Sequence, residues 1–545
     1  MTRLLIGPVL RHVGHTDATV WVETDEPCSV EVLGSREHTW TVAGHHYALV
    51  VIDGLEPGST TAYEVRLDGE RAWPPLIGDR PPSVIRTLGS DRPLRVAFGS
   101  CRYGRAAVKL ADKHFDADAL ACCARRMVEQ DPSEWPDALL MLGDQVYADE
   151  TSTATQRRIR AKRDITSGAK DQVADFEEYT WLYLESWTDA DVRWLLSTVP
   201  SSMIFDDHDV RDDWNTSHEW RADMKQLDWW QERIIGGLSS YWVYQHLGNL
   251  SPDDLAKNDL YQAVRSHHGD AEQLLREFAV DADAEADGRK GTRWSYRREL
   301  NRTRVVVVDS RCGRILADGR RSMISEDEFA WLEEQLHGDY DHLLLGTSLP
   351  WLLPRALHDI EAWNEAMANN TGTRRGRFAE KLRRAADLEH WAAFRESFER
   401  LGELLASVAR GERAPGADPP ASVSVLSGDV HHAYVAEAHF AQPTDAPVYQ
   451  LTCSPLHNFV PPAMKVAFRA AWSRWAERAA SRVLGLFGPV PPPSLHWDQM
   501  CGPFFGNEIA VLTIDGRHAD VLIEQSAPRD QADELTEVAR LHLAG

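Results

Sequence analysis

Between Ala18 and Leu67 the chain alternates apolar and polar residues in five short runs: Ala18 to Glu23, Ser29 to Leu33, His38 to Val42, Tyr47 to Ile52 and Thr61 to Leu67. A two-residue period bounded by Gly, Pro and Asp predicts strands with one buried face. Residues 1–90 are therefore expected to form an all-β domain, left through the Arg80-Pro81-Pro82 connector. From Leu94 the pattern changes to unbroken apolar runs: Leu94 to Phe98, Ala138 to Leu142, Ser202 to Phe205, Arg304 to Val308, His342 to Leu345 and Ser422 to Leu426. Such runs, separated by helical or polar stretches, predict a layered α/β domain whose strands are buried on both faces. Each ends in small and polar residues, and ligand crevices of α/β sheets lie outside the carboxyl ends of strands. Clusters spread over some 330 residues are thus expected to meet at one rim.

Helical patterns fill the intervals. Asp171 to Trp194 and Asp223 to His246 place aromatic residues at helical spacing and read as packing helices. Ser251 to Lys290 is polar, and Glu365 to Arg410 reads as charged, mostly helical and peripheral. Met464 to Phe487 predicts one basic amphipathic helix. Its cations are Lys465, Arg469, Arg474, Arg478 and Arg482, and its apolar set is Phe468, Trp472, Trp475, Val483 and Leu486. That helix is expected either to pack its Trp face on the core, to lie over an anionic substrate's path, or to touch an anionic membrane peripherally. The α/β domain is expected over 94–525, with 526–545 forming a closing C-terminal helix.

Composition narrows the classes. The chain has 545 residues, enough for two or three domains, and 20 Trp, which imply a large buried core. No apolar run approaches the ~18 residues of a membrane span. A net charge of −25 argues against bulk nucleic acid binding, although a confined site can still hold phosphate. Seven cysteines without a CxxC spacing argue against a disulfide framework or zinc ribbon. With no export signal read at the amino terminus, a cytoplasmic location is expected. Nothing in the pattern speaks to oligomeric state.

The strand-end clusters supply Cys101, Asp144, Tyr147, Asp207, His208, Asp429 and His431. Thiolate, phenolate, carboxylate and imidazole are all metal donors, and two cations ~3.5–4 Å apart can clamp the attacking and leaving oxygens of a phosphoryl displacement. Asp144, after Gly143, is the candidate bridge. A thiol and a phenol ionise at about 8.5 and about 10, so both need a strong Lewis acid to be anionic at neutral pH. Ferric iron suits that first site, and hard cations such as calcium, magnesium or manganese suit an all-oxygen second site. His208 or His431 could stabilise or protonate a leaving oxygen. Arg102 and Arg311 could bind phosphate oxygens or pair with the acidic site. Asp309 could ligate calcium or be Arg311's partner.

Two resemblances follow from these residues. The turn Gly54-Leu55-Glu56-Pro57-Gly58 followed by Thr61-Ala62-Tyr63-Glu64-Val65 resembles the late strands of fibronectin type III-like sandwiches. Phe98-Gly99-Ser100-Cys101, Gly143-Asp144-Gln145-Val146-Tyr147-Ala148-Asp149, Asp206-Asp207-His208-Asp209-Val210, Asp309-Ser310-Arg311 and Gly428-Asp429-Val430-His431-His432, in that order, resemble the alkaline phosphatase D (PhoD-like) family of the calcineurin-type metallophosphatase superfamily. The resemblance spans about residues 1–525. It implies a ferric ion held by Cys101, Asp144, Tyr147 and Asp429, and calcium held by further carboxylates and an Asn that share Asp144. Where the family pattern has an Asn pair before a Trp, this chain has Asp212-Asp213-Trp214. Of Asp207, Asp212 and Asp213, Asp213 is the favoured second-metal ligand and Asp207 the next, His431 joins the donor list, and magnesium, manganese or zinc could replace calcium.

The expected function is a metal-dependent phosphoesterase that hydrolyses phosphomonoesters or phosphodiesters of small phosphorylated substrates by attack of a metal-bound hydroxide. The alternatives are another metallohydrolase acting on an ester or amide, and a non-catalytic protein stabilised by its metals.

Overall fold

The computed structural model describes residues 2–75, 80–89, 92–105, 115–289, 291–317, 320–368, 372–488, 490, 492–528 and 534–545. The N-terminal region consists of two four-stranded antiparallel sheets. One runs Leu4–Val13, Asp17–Thr24, His45–Asp53, Trp40–Val42, and the other runs Ser35–His38, Ser29–Val32, Val65–Leu67, Glu70–Trp73. The pleat sends alternate side chains to opposite faces, and here the two faces enter different cores. Ala18, Val20, Val22, Ala48, Val50 and Ile52 fill the space between the small sheets. Trp21, Tyr47 and Leu49 join the core of the larger domain. The junction is anchored by aromatic contacts, Trp21 to Tyr244 at 5.2 Å and Tyr183 stacked on Tyr244 at 4.0 Å. Arg11, fully buried, donates to the carbonyls of Tyr244 and Gln245.

The larger domain is built on two further sheets. The six-stranded one runs Ser201–Ile204, Ala138–Leu142, Leu94–Gly99, Glu508–Asp515, His518–Ser526, Leu535–Ala544. The seven-stranded one runs Tyr296–Leu300, Thr303–Val308, His342–Thr347, Ser422–Ser427, Val448–Thr452, Ala433–His439, His496–Phe504. The six apolar runs seen in the sequence are the parallel strands at the heart of these sheets. Their burial on both faces explains the unbroken apolar pattern. Val305, Val307, Leu344 and Leu426 share a core with Leu140 and Leu142 of the other sheet, while Val306, Val308, Leu343 and Leu345 pack with Phe329, Leu332, Leu401 and Leu405 of the flanking helices. The expected α/β class, two β-layers clothed in helices, is what the chain adopts.

Several elements differ from the sequence reading. The run Thr61 to Leu67 is two strands in separate sheets: Thr60–Ala62 pairs with Val84–Arg86, and Val65–Leu67 pairs with Ser29–Val32. The expected C-terminal helix is the edge strand Leu535–Ala544, antiparallel to His518–Ser526. Its apolar spacing of three imitates a helix because one extra residue, Val538, bulges between the pairs Glu524–Glu537 and Ile523–Ala539. Residues 529–533 of that expected element lie outside the described residues. The segment Glu365 to Arg410 is not peripheral: Trp391, Phe394, Phe398, Leu401 and Leu405 are buried in the core, and Glu389 and His390 reach the rim. The single helix expected at 464–487 is a hairpin of two, Pro462–Ala471 and Arg474–Gly485, parted at Trp472-Ser473, where the Ser473 side chain caps the second helix.

Candidate metal centre

At the strand ends the backbone turns abruptly. Cys101, Asp144, Asp213, Asp429 and His431 all have φ between 51° and 67°, a left-handed conformation that costs a non-glycine residue energy. This concentration of strain in donor-bearing residues aims their side chains back over the sheet ends. Gly428 makes room for it: a Cβ there would fall 1.9 Å from Ser100 Oγ, the hydroxyl that accepts the Asp429 backbone N–H. The Asp209 carboxylate ties two strand ends together from beneath, accepting the backbone N–H groups of Asp144 and Asp206, each at 2.9 Å.

Two donor groups form. Ligand atoms of Asp144, Asp207 and His208 lie within 4.8 Å of one another, as do those of Asp206, Asp207 and Asp429. Asp207, rather than Asp144, belongs to both. Around the first group, the Tyr147 hydroxyl is 3.5 Å from Asp144 Oδ2 and accepts from the Asn458 amide at 3.0 Å, and the same amide nitrogen is 3.3 Å from His431 Nε2. Cys101 Sγ is 3.2 Å from Ser100 Oγ and 3.8 Å from the Asp429 carbonyl oxygen. The Tyr147 ring stacks on Tyr103 at 3.7 Å and leans on His208 at 4.8 Å.

The electrostatics of this arrangement are those of a cation nest. Burial, then neighbouring carboxylates, push Cys101 and Tyr147 well above their usual values. Burial also raises Asp144, Asp206 and Asp207, although His208 opposes it at Asp144 and Arg311 at the other two. Asp213 is lifted to about 9 by burial and then by Glu389 and Asp387. One oxygen each of Asp144, Asp206, Asp207 and Asp213 is buried without a hydrogen-bond partner, that of Asp207 having only the Arg311 guanidinium 3.3 Å away. Buried carboxylates with orphaned oxygens beside a thiol and a phenol are a donor set that fits metal ions, which remove the cost of burying the anions.

The two histidines differ. His208 is half-buried, and its desolvation disfavours the charged form, but Asp149, 3.0 Å from Nδ1, and Asp207 outweigh this and hold its pKa well above the usual imidazole value. His431 is depressed to about 4 by burial, only partly offset by Asp429. Asp429 is held low in spite of burial because His390 and Arg311 face it; His390 bridges Glu361 at 2.7 Å and Asp429 at 3.0 Å.

Three expected site residues are engaged otherwise. Arg102 is buried with its guanidinium on Asp118 at 2.7 and 2.9 Å and on Ser186 at 3.0 Å, which leaves it no free edge for a phosphate. Both oxygens of Asp309 accept backbone N–H groups, from Arg311, Cys312 and Gly313, so it shapes a turn, and the Arg311 side chain pairs elsewhere. Arg311 is fully buried beneath the second acidic group. It pairs with Asp206, with Glu389 at 2.6 Å, with Asp207 at 3.3 Å and with Asp429 at 3.6 Å. It is the acidic site's counter-ion and not a surface for phosphate. Conversely, sequence reasoning passed over Asp206, Asp209, Glu389, His390 and Asn458. Asp206 and Asp209 stood inside a quoted motif. Asn458 follows the apolar strand Val448–Thr452, a signal of the kind that marked the other strand ends. Glu389 and His390 follow no strand, and nothing in the local pattern marks them.

The comparisons with known proteins bear on the whole arrangement. No curated protein matches the chain. A solved structure described as "Structure of PhoD" is similar over 99% of this chain and 90% of its own, with a TM-score of 0.58 at 11% identity, which speaks to the fold. A purple acid phosphatase from yellow lupin (Lupinus luteus) seeds is similar over 98% of this chain and 74% of its own, at 11% identity and a TM-score of 0.46. Residues 1–85 match a domain described only as one of unknown function (DUF7800). Residues 114–486, more than half of the chain, match the model of the PhoD-like phosphatases. The chain belongs to the PhoD-like phosphatase family and is a metal-dependent phosphoesterase.

Proposed function

We propose that the protein hydrolyses phosphomonoesters or phosphodiesters of small molecules at a mixed two-metal site. Ferric iron would be held by Cys101, Asp144, Tyr147 and Asp429, with His431 at its edge. A hard divalent cation, calcium in the first instance, would be held by Asp207 and Asp213, with Asp206 adjacent. When bound, such cations acidify water and neutralise charge on phosphoryl oxygens. The iron position would thus draw Asp144 from the first group and Asp429 from the second, and Asp207, which alone of the described residues belongs to both groups, would be within reach of either cation. Arg311 keeps a permanent positive charge under the second group and so limits repulsion among its carboxylates. Asp149 on Nδ1 fixes the His208 ring and leaves Nε2 as the position from which a proton can pass to the leaving oxygen. The Asn458 amide nitrogen, 3.3 Å from His431 Nε2, would position the His431 ring at the edge of that site. The seven cysteines, all thiols, support a cytoplasmic setting.

The observation that carries this reading is the set of orphaned carboxylate oxygens beside a buried thiol and phenol. Metal analysis with a visible spectrum tests it: iron with a thiolate and phenolate charge-transfer band is expected. Turnover of p-nitrophenyl phosphate and of bis(p-nitrophenyl) phosphate is expected as well. Colourless, iron-free and fully active protein would refute the iron site, and turnover of carboxyl esters alone would refute the phosphate chemistry.

A further inference from the structure

The hairpin Pro462–Ala471 and Arg474–Gly485 has its burial reversed. Six of the ten most exposed large apolar side chains among the described residues fall within it and the turn that follows: Met464, Val466, Trp475, Val483, Leu486 and Phe487. Trp475 is 77% exposed and Leu486 81%. The inner face is held down, with Ser481 Oγ donating to Asp359 at 2.6 Å and Glu477 3.8 Å from Arg355. Phe468 packs at 4.6 Å on His432, the neighbour of His431, and Trp472 packs on Tyr434 at 4.9 Å. The outward apolar side chains are therefore fixed in place rather than left by a frayed end. On the second helix Trp475, Arg478, Arg482 and Leu486 follow one another at spacings of three and four, which puts them on one face.

The charge is reversed too. Residues 462–487 carry Lys465, Arg469, Arg474, Arg478 and Arg482 against Glu477 alone, in a chain whose net charge is −25. We propose that this hairpin docks on an anionic lipid surface, with Trp475, Val483, Leu486 and Phe487 entering the headgroup layer and Arg478 and Arg482 lying among lipid phosphates. Indole rings and snorkelling arginines suit that interface, and anionic lipid adds about 1 kcal/mol, roughly a fivefold gain in binding, for each cation near the surface. A second copy of the chain fits less well, since a symmetric contact would set one basic patch against its twin. The proposal goes beyond phosphoester hydrolysis and does not depend on it; docking would set the rim of the metal centre close to the bilayer.

The test is sedimentation of the full chain with vesicles of phosphatidylcholine alone and of equal parts phosphatidylglycerol and phosphatidylcholine, read without any turnover. Binding to the anionic vesicles, weakened by salt and roughly tenfold or more weaker for the double variant Trp475→Glu, Leu486→Glu, is expected. Arg478→Glu, Arg482→Glu is an independent second variant, expected to weaken binding by a roughly similar or larger factor. Turnover of soluble p-nitrophenyl phosphate by both variants should match the parent, which separates loss of docking from loss of fold or of catalysis. Three results would overturn the proposal: equal affinity for both vesicle types or for neither, indifference to both variants, or lipid-free self-association that the substitutions abolish.

Discussion

The core between the two small N-terminal sheets and the rim of the larger sheets are buried to the same degree and built on opposite principles. Leu10, Val20, Val22, Val50, Ile52 and Val65 pack together in an apolar cluster, so each gains from leaving water. At the rim Asp144, Asp206, Asp207 and Arg311 are just as buried, and each ion costs several kcal/mol to desolvate. The first region supplies stability. The second gives up stability for a site that a cation completes, and the strained φ values at Cys101, Asp144 and Asp429 belong to the same exchange.

The contrast can be broken, most sharply at Asp144. Asp144→Asn is expected to cut turnover of p-nitrophenyl phosphate by roughly a thousandfold or more, the equivalent of about 4 kcal/mol or more, because it weakens a metal position. Thermal unfolding of the metal-free variant should hold steady or rise, since a desolvated charge is removed; a large fall in melting temperature would mean that Asp144 is a structural residue. Arg311→Met tests the converse, a rim residue needed for stability. It leaves Asp206, Asp207 and Glu389 without their cation and should cost about 3–5 kcal/mol in denaturant unfolding. Ile52→Ala, in the apolar core, should cost about 2–5 kcal/mol and leave turnover per folded molecule unchanged. His390→Gln disturbs only the residue that orients Asp429, and a loss of about 10–100-fold in metal affinity, read by titration of the metal-free protein, is expected.

The smallest effect is a slope. Burial holds Asp213 at about 9, above the ~3.9 of an unfolded chain. The folded, metal-free protein therefore keeps a proton there that the unfolded chain has lost. The stability this contributes is fully present below about pH 4 and is lost progressively as pH rises towards 9. After chelation, melting temperatures measured between about pH 5 and about pH 8 should fall with rising pH, and the metal-loaded protein should show a shallower slope. Equal slopes would place no cation near Asp213.

Much of this was legible along the chain. The six apolar runs and the polar clusters ending them identified the parallel strands and the rim, because a strand buried on both faces has no other pattern available. Cys101, Asp144, Tyr147, Asp207, His208, Asp429 and His431 were legible for the same reason, each within a few residues of such a run. Glu389 and His390 were not, because they reach the rim from a helical insertion whose local pattern is only charged. The closing strand was misread as a helix because a bulge at Val538 breaks the two-residue period and spaces Leu535, Val538 and Leu541 three apart.

What the sequence determined by itself was composition and local pattern: which segments are the central parallel strands, which donors end them, and that residues 464–487 are basic and apolar together. Which way those donors and that hairpin face was decided by tertiary structure. Left-handed turns, Ser100 against Gly428, and Arg311 among four carboxylates draw distant residues to one rim, and the inner contacts of the hairpin fix which of its side chains meet water. The physical reason is range: propensity and periodicity act over a few residues, whereas burial of charge and the packing of layers are settled only between segments hundreds of residues apart.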